Sequence, residues 1–300
     1  MSFDLDGLKR AVALHGTVAR VVVAETRGSV PREVGAAMLV WADGQSGTIG
    51  GGALEFEAAR AARDGAMRAV RHPLGPALGQ CCGGAVTLVT EVWDASSVEA
   101  LAGPVVARDI EGRGETLAVR RARGHGVATF VDGWMIEPVL APEREMWIWG
   151  AGHVGRALVE VLAPLPCLRI VWVDTDLKRF PETVPEGVTV LAAARPEVLV
   201  ARAPEAAGHL VLTYSHALDL ELCHRLLARG FARCGLIGSA TKWARFRSRL
   251  GALGHGPEEV ARIDCPIGDP ALGKHPQAIA IGVAREMLAA PLALAGEKWA

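Results

Sequence analysis

Cysteine is scarce in this chain, 6 among 300 residues, and no two are spaced as a CxxC pair. That scarcity excludes a disulfide-stapled scaffold and weakens a zinc-finger reading, since structural zinc sites draw on paired thiols. Net charge is equally scant: 32 Lys and Arg against 33 Asp and Glu leave −1, which points neither to nucleic acid nor to an anionic membrane surface. No uninterrupted apolar run reaches the roughly 18–20 residues that span a bilayer. The stretch Met1-Ser2-Phe3-Asp4-Leu5-Asp6 is acidic and lacks the apolar core of a secretory signal. Internal repeats and low-complexity segments are missing too. Together these absences set an expectation of a cytoplasmic protein with reduced thiols and with no nucleic-acid or membrane partner.

What is present is apolar bulk and glycine. Half of the residues are hydrophobic, enough for a sizeable core, and the length suits two domains of roughly 100–200 residues each. Pro138 and Pro142, with Glu143, Arg144 and Glu145 ahead of the next apolar run, mark a boundary between residues 1–142 and 143–300. In the first part, Leu5, Leu8 and Val12 predict a short amphipathic helix over residues 4–15. Strands are predicted at Thr17–Ala24, Ala36–Trp41, Ala85–Val92, Pro104–Ile110, Thr116–Arg121 and Val127–Phe130, with turns at Asp43-Gly44 and Asp132-Gly133. An Ala-rich helix is predicted from the glycines near residue 50 through about Val70. The expected class is α/β, an N-terminal α+β domain followed by a Rossmann-like, doubly wound parallel sheet.

The stretch around which the first part is read is Gln80-Cys81-Cys82-Gly83-Gly84. Glycine there permits positive φ and close approach of backbone to a ligand. Neighbouring thiols suit transition-metal or persulfide chemistry, against the plainer reading of buried small hydrophobes. Two other loops accompany it. Thr26-Arg27-Gly28-Ser29-Val30-Pro31-Arg32 places Arg27 and Arg32 around turn residues, open between a solvated turn and an anion contact. Gly50-Gly51-Gly52 opens a helix, where exposed N–H groups favour an anion or a polar ligand edge.

In the second part a short strand, Met146–Trp149, leads into Gly150-Ala151-Gly152-His153-Val154-Gly155, then a helix to about Leu162 and a strand Leu168–Val173 ending at Asp174. Strand, GxGxxG, helix, strand and acid in that order is the Rossmann fingerprint in its expected setting. Further strands at Val188–Leu191, Leu210–Thr213 and Cys234–Ile237 and a closing helix Pro276–Leu288 complete the alternation. Ligands of such sheets sit beyond the carboxyl ends of the strands. Two segments fall there, Thr213–Asp219 with His216, and Gly235–Lys242 with Ser239 and Lys242. His216 is open between a ligand contact, a general acid–base and a plain helix-start histidine. Lys242, Arg245 and Arg249 are predicted to share a basic helical face, opposite a core stripe of Trp243, Phe246 and Leu250.

Taken together, these motifs resemble the XdhC/CoxF family of molybdenum hydroxylase accessory proteins, the xanthine dehydrogenase accessory proteins among them. The resemblance rests on Arg27–Arg32 with Gly35, Gly47–Glu55, Cys81–Gly84, Gly150–Gly155, His216 with Asp219, Gly235–Ser239 with Lys242, and Pro266-Ile267-Gly268, and covers nearly the whole chain. It implies a chaperone rather than an enzyme: a protein that binds the molybdenum cofactor (molybdenum-molybdopterin), protects it while a cysteine desulfurase supplies the sulfido ligand, and delivers it to apo xanthine dehydrogenase. The implied partners are that desulfurase and the molybdenum-binding subunit of xanthine dehydrogenase, with a homodimer as the expected assembly. The implied cofactor-binding set is Arg27, Arg32, Gly50, Gly51, Gly52, Cys81, Cys82, Gly83, Gly84, Gly150, Gly152, Gly155, Asp174, His216, Ser239 and Lys242, with Cys81 and Cys82 toward molybdenum. A nucleotide in the Rossmann crevice stays open. Two alternatives stand beside this reading, an NAD(P)-dependent oxidoreductase and a persulfide relay through Cys81 or Cys82.

Overall fold

The computed structural model describes residues 2–65, 67–75, 83–140 and 144–289. The chain divides into two compact units, Met1–Leu140 and Ala141–Ala300.

In the first unit, helix α1 (Leu5–His15) precedes a five-stranded antiparallel sheet of β1 (Val18–Arg27), β2 (Ala37–Trp41), β3 (Gly44–Gly47), β4 (Arg68–Pro73) and β5 (Ala85–Trp93), ordered β3-β2-β1-β5-β4. Helix α2 (Gly52–Ala62) joins the two wings of that sheet. After α3 (Ala95–Glu99), strands β6 (Val105–Asp109), β7 (Thr129–Val131) and β8 (Trp134–Pro138) form a second, three-stranded sheet with helix α4 (Leu117–Ala122) between β6 and β7. The period of two decides what β1 touches. Ala19, Val21 and Val23 pack into one core with Leu54, Ala58, Ala59 and Ala62 of α2. Val18 and Val22, on the other face, join clusters that include Val106 of β6 and Met135 of β8.

Arg20 sits in that second row and is buried. Its Nη1 and Nη2 donate to Glu137 at 2.9 and 2.8 Å, and Nη1 also reaches Glu91 at 3.3 Å. Arg108 closes the ring, donating to Glu91 at 2.6 and 2.8 Å and to Glu137 at 2.6 Å. The Phe3 ring lies 4.4 Å from the Arg20 guanidinium and 5.0 Å from that of Arg108. Two cations and two anions thus cancel in a dry space between strands β1, β5, β6 and β8. Burial opposes the Glu137 charge, but Arg20 and Arg108 outweigh it and hold its pKa below the usual carboxylate value.

Two elements read from the sequence in the first unit come out differently, and β3, α3 and β8 were not foreseen. Thr116–Arg121, expected as a strand, is instead the helix α4, because the Thr116 hydroxyl caps it by accepting from the Val119 amide, and Val119 and Ala122 then face the core three residues apart. The Ala-rich helix expected to reach Val70 stops at Ala62; Gly65 turns with φ 74° and the chain returns as β4.

The second unit is a parallel six-stranded sheet of β9 (Arg144–Trp149), β10 (Leu168–Asp174), β11 (Thr189–Ala192), β12 (Gly208–Val211), β13 (Arg233–Leu236) and β14 (Ile263–Asp264), ordered β11-β10-β9-β12-β13-β14. Helices α5 (His153–Leu162) and α9 (Pro276–Ala289) cover one face over Ile148, Ile170 and Trp172. Helices α6 (His216–Arg229), α7 (Ala240–Ala252) and α8 (Pro257–Val260) cover the other over Trp147, Trp149 and Val173. The strand order reverses between β9 and β12, so the crevice of a doubly wound sheet opens at their carboxyl ends. No helix among the described residues is long and apolar enough to cross a membrane.

His209 lies within the α6 face of this sheet, fully buried beside Trp147, Trp149 and Phe231. Its Nδ1 accepts the Trp149 indole N–H at 3.2 Å, while Nε2 has no partner. Burial, helped by the charge of Arg229, pushes its pKa down to about 3.

Two outcomes follow from these buried charges. Glu137→Gln is expected to cost roughly 3–5 kcal/mol, as breaking a buried ion pair does, read as a lower denaturation midpoint of the first unit. For His209 the folded state resists a proton that the unfolded chain accepts near pH 6.5, so its contribution is intact above that value. It is lost as pH falls toward 3, at no more than about 1.4 kcal/mol per pH unit. His209→Gln, which still accepts the indole N–H, is expected to flatten that acid limb; an unchanged pH slope in urea titrations would count against it.

Candidate functional site

Three loops of the first unit, far apart in sequence, are packed on one another by glycine. Arg27-Gly28-Ser29 lies against Gly84 so closely that a Cβ on Gly84 would overlap the carbonyl oxygens of Arg27 and Ser29. Gly28 turns with φ 67°, and its own Cβ would stand 3.3 Å from the Gly84 Cα. Farther along the same loop, a Cβ on Gly50 would stand 2.5 Å from Pro31. The Arg27–Arg32 loop is therefore held between Gly84 and Gly50. Gly51 and Gly83, next to those two, face open space. Arg27 is exposed, and half-buried Arg32 lies 3.6 Å from Glu33. Cys81 and Cys82 precede Gly83 and lie outside the described residues, so the structure gives them no position.

The Gly50–Gly52 turn has an anchor that sequence reasoning did not single out. Glu55, in the first turn of α2, accepts from the Ile49 and Gly51 amides at 3.0 Å each, from the Thr48 hydroxyl at 2.5 Å and from the Gln45 amide at 3.1 Å. Burial works against its charge, but these hydrogen bonds outweigh that and hold its pKa below the usual carboxylate value. An acid three positions after a glycine triplet was a readable signal, since a carboxylate in a first helical turn can reach back to the preceding amides.

The second unit repeats the device. Asp174 ends β10 almost wholly buried. One of its oxygens accepts from the Ala151 amide at 2.6 Å; the other accepts from the Thr175 amide at 2.6 Å and lies 2.7 Å from Nε of Arg179. In dinucleotide-binding sheets a carboxylate here holds ribose hydroxyls. Here both oxygens already accept from the protein, and the side chain is almost wholly buried. Gly150 turns with φ 125° against Leu212, and a Cβ on Gly155 would overlap the Gly150 carbonyl. Gly152, the N-cap of α5, has nothing within 4 Å of where its Cβ would be. It opens onto a cleft of about 310 Å³ lined by Ala151, His153, Arg156, Lys178 and Arg179. Arg179 also lies 4.4 Å over the exposed Tyr214 ring.

Beyond β12 and β13, Asp219 is fully buried. It accepts from the Thr213 amide and hydroxyl at 2.9 and 2.8 Å, and Lys242 Nζ donates to it at 2.7 Å and to the Ile237 carbonyl at 2.8 Å. Lys242 therefore leaves the basic face expected with Arg245 and Arg249. A buried carboxylate needs a counter-charge, and that need turns the lysine inward. His216 and Ser239 sit exposed at the starts of α6 and α7, where the Ser239 hydroxyl accepts from the Lys242 amide at 3.2 Å.

Three of the four described thiols, Cys223, Cys234 and Cys265, offer little nucleophile, and the fourth, Cys167, is half-buried. Cys223 and Cys234 are fully buried, and burial pushes half-buried Cys265 up to about 11, which keeps it protonated at neutral pH. Among the described residues no group of three or more His, Cys, Asp or Glu is placed to hold a metal ion.

Comparison with known proteins follows the same division. A model of the XdhC and CoxI family matches residues 11–73, and a model of the XdhC Rossmann domain matches residues 146–287. The chain is 28% identical over 276 residues to the uncharacterized protein YqeB of Escherichia coli (strain K12), which takes in 89% of this chain and 42% of that protein. This chain thus spans less than half of that relative's length. A crystal structure from Bacillus halodurans, described as a xanthine dehydrogenase, matches with a TM-score of 0.70 at 18% identity over 95% of each chain. At that identity the likeness shows the fold alone.

The glycines give a sharp stability contrast. Gly155→Ala is expected to lower the melting temperature, because overpacking of this kind costs about 1–3 kcal/mol. Gly152→Ser, which adds a side chain but keeps a good N-cap residue for α5, is expected to leave it nearly unchanged. Equal losses from both, measured by calorimetry, would show that position 152 is packed after all.

Proposed function

The chain belongs to the XdhC and CoxI family, and from that premise we propose that it is a molybdenum cofactor chaperone in the maturation of a xanthine dehydrogenase. In this reading it binds molybdenum-molybdopterin as cargo, shields it while a cysteine desulfurase supplies the terminal sulfido ligand, and hands it to the apo-enzyme. The observation that carries the reading is the convergence of the Arg27–Arg32 loop, Gly50 and Gly84 in the first unit. The chain spends one glycine of each neighbouring pair on packing and leaves the other, Gly51 or Gly83, without a side chain toward open space. Such a cradle admits a flat heterocycle close to the backbone. Arg27 stands exposed beside it, a cation for the cargo's phosphate. Cys81 and Cys82, adjacent to Gly83 in sequence, then meet the molybdenum, with Cys82 favoured as the nearer to the glycines.

The second unit contributes an anion site of its own in this reading. Gly152 exposes the start of α5 to a cleft carrying Arg156, Lys178 and Arg179, which suits a phosphate group or a nucleotide held by its phosphates. The burial of Asp174 against Ala151, Thr175 and Arg179 lends no support to a nicotinamide cofactor anchored through its ribose, and hence none to the oxidoreductase alternative. The chaperone reading also takes the desulfurase and the molybdenum-binding subunit of xanthine dehydrogenase as partners, and a cytoplasmic homodimer as the working form.

The test is retention of cargo. Protein mixed with molybdenum cofactor and desalted is expected to release fluorescent oxidised pterin. Cys82→Ala is expected to lose that signal while circular dichroism and melting barely change, and Cys223→Ala serves as the control for general destabilisation. Full-stoichiometry binding and normal sulfuration by the Cys81→Ala, Cys82→Ala double variant would sink the thiol assignment.

A further inference from the structure

The turn that opens α2 is already supplied with an anion. Gly51 precedes the helix with φ 74° and Gly50 with φ 126°, a geometry that brings successive amides toward one point. In many helix starts such a nest takes a phosphate from the ligand. Here the Ile49 and Gly51 amides converge instead on Glu55 Oε2, which also accepts the Thr48 hydroxyl. The Thr48 hydroxyl accepts in turn from the Gly50 amide at 3.1 Å. The far oxygen, Oε1, takes the side-chain amide of Gln45 on β3. One carboxylate thus ties the end of β3, the glycine turn and the first turn of α2 together.

We propose that Glu55 is the positioning residue of the cargo site, filling the amide nest with the protein's own charge so that the Gly50–Gly52 turn meets the cargo as a rigid edge already closed to anions. The inference rests on the chaperone reading for the identity of the cargo, but not for the state of the turn. A second anion at the same amides would stand against Glu55 at contact distance, so the turn selects an uncharged ring edge and leaves phosphate to cations elsewhere. This reverses what a glycine triplet at a helix start suggests from sequence, where the free amides read as an anion receptor. Glu55 touches neither molybdenum nor sulfur in this role; it acts through the turn.

The experiment compares wild type with Glu55→Ala and with Glu55→Gln, which keeps the shape and one acceptor but not the charge. Hydrogen exchange at the Ile49 and Gly51 amides reports the nest directly and needs no cargo. Exchange at both is expected to rise in Glu55→Ala, less in Glu55→Gln, and to fall again when sodium acetate is added to Glu55→Ala, because a free carboxylate refills the nest. Retention of molybdenum cofactor, read by pterin fluorescence, is expected to drop roughly 10- to 100-fold in Glu55→Ala, the loss that goes with charged hydrogen bonds. Acetate is expected to restore part of it, whereas melting is expected to fall in Glu55→Ala, because four hydrogen bonds of the protein's own are lost. Unchanged exchange in Glu55→Ala overturns the inference whether or not cargo binds. Raised exchange with undiminished retention overturns the positioning role. Failure of the wild type to retain cargo sinks the chaperone reading instead, and the exchange and acetate results then decide the state of the nest on their own.

Discussion

The amide of Ala151 points at a carboxylate of the same chain, and that one contact shows the constraint on which the ligand-facing loops depend. Tight loops carry N–H groups that neither helix nor sheet can pair, and a buried unpaired amide costs about as much as a lost hydrogen bond. In this protein acidic side chains pair them. Asp174 takes Ala151 and Thr175, Asp219 takes Thr213, and Glu55 takes Ile49 and Gly51. Charged acceptors make the stronger kind of hydrogen bond, so each loop is set before any ligand arrives. The loops are therefore scaffolds with preformed shape, and binding need not supply the ordering entropy.

Glycine divides its labour in the same places. At Gly50, Gly84, Gly150 and Gly155 the missing Cβ makes room for the protein's own backbone or for Pro31. At Gly51, Gly83 and Gly152 it makes room for something else. Each loop holds both kinds within a few residues. The packed glycine brings two backbones into contact, and that contact fixes where its open neighbour points. A substitution at the packed kind perturbs folding through overlap, while at the open kind space is free and only the backbone demand remains, φ 74° at Gly51 and the N-cap at Gly152.

Much of this was legible in the sequence. The Rossmann sheet followed from apolar runs of strand length alternating with helical periods, and the GxGxxG stood where its turn requires it. The division of roles among glycines was not legible, because it depends on Leu212, Pro31 and Ser29, which come near only in the fold. Lys242 was misplaced for the same reason: helical spacing put it beside Arg245, while its partner Asp219 lies on another helix. The Arg20–Glu91–Arg108–Glu137 ring was invisible in the sequence, since each of its members comes from a different strand and that of Glu137 was not foreseen. Thr116 carried its signal openly as a helix cap, and the alternating apolar residues after it masked that signal. Cys81 and Cys82 drew the attention of the sequence reading and lie outside the described residues, so their part in the site remains a reading of the sequence.

Electrostatics then sorts what each unit can take. A carboxylate turned to backbone amides has fewer acceptor sites left for hydroxyls of a ligand, and its charge lowers the appeal of the same amides to phosphate. In the second unit that charge is balanced locally by Arg179, while Arg156 and Lys178 add positive charge to the cleft beyond Gly152. The cleft therefore favours an anion over a sugar edge. In the first unit the glycine turn carries Glu55 inside, with Arg27 exposed on the neighbouring loop. The loops there discriminate by position: the turn is closed to anions, and the arginine offers positive charge. A flat uncharged ring carrying a phosphate at one end satisfies both demands at once, and a bare anion or a bare ring satisfies only one.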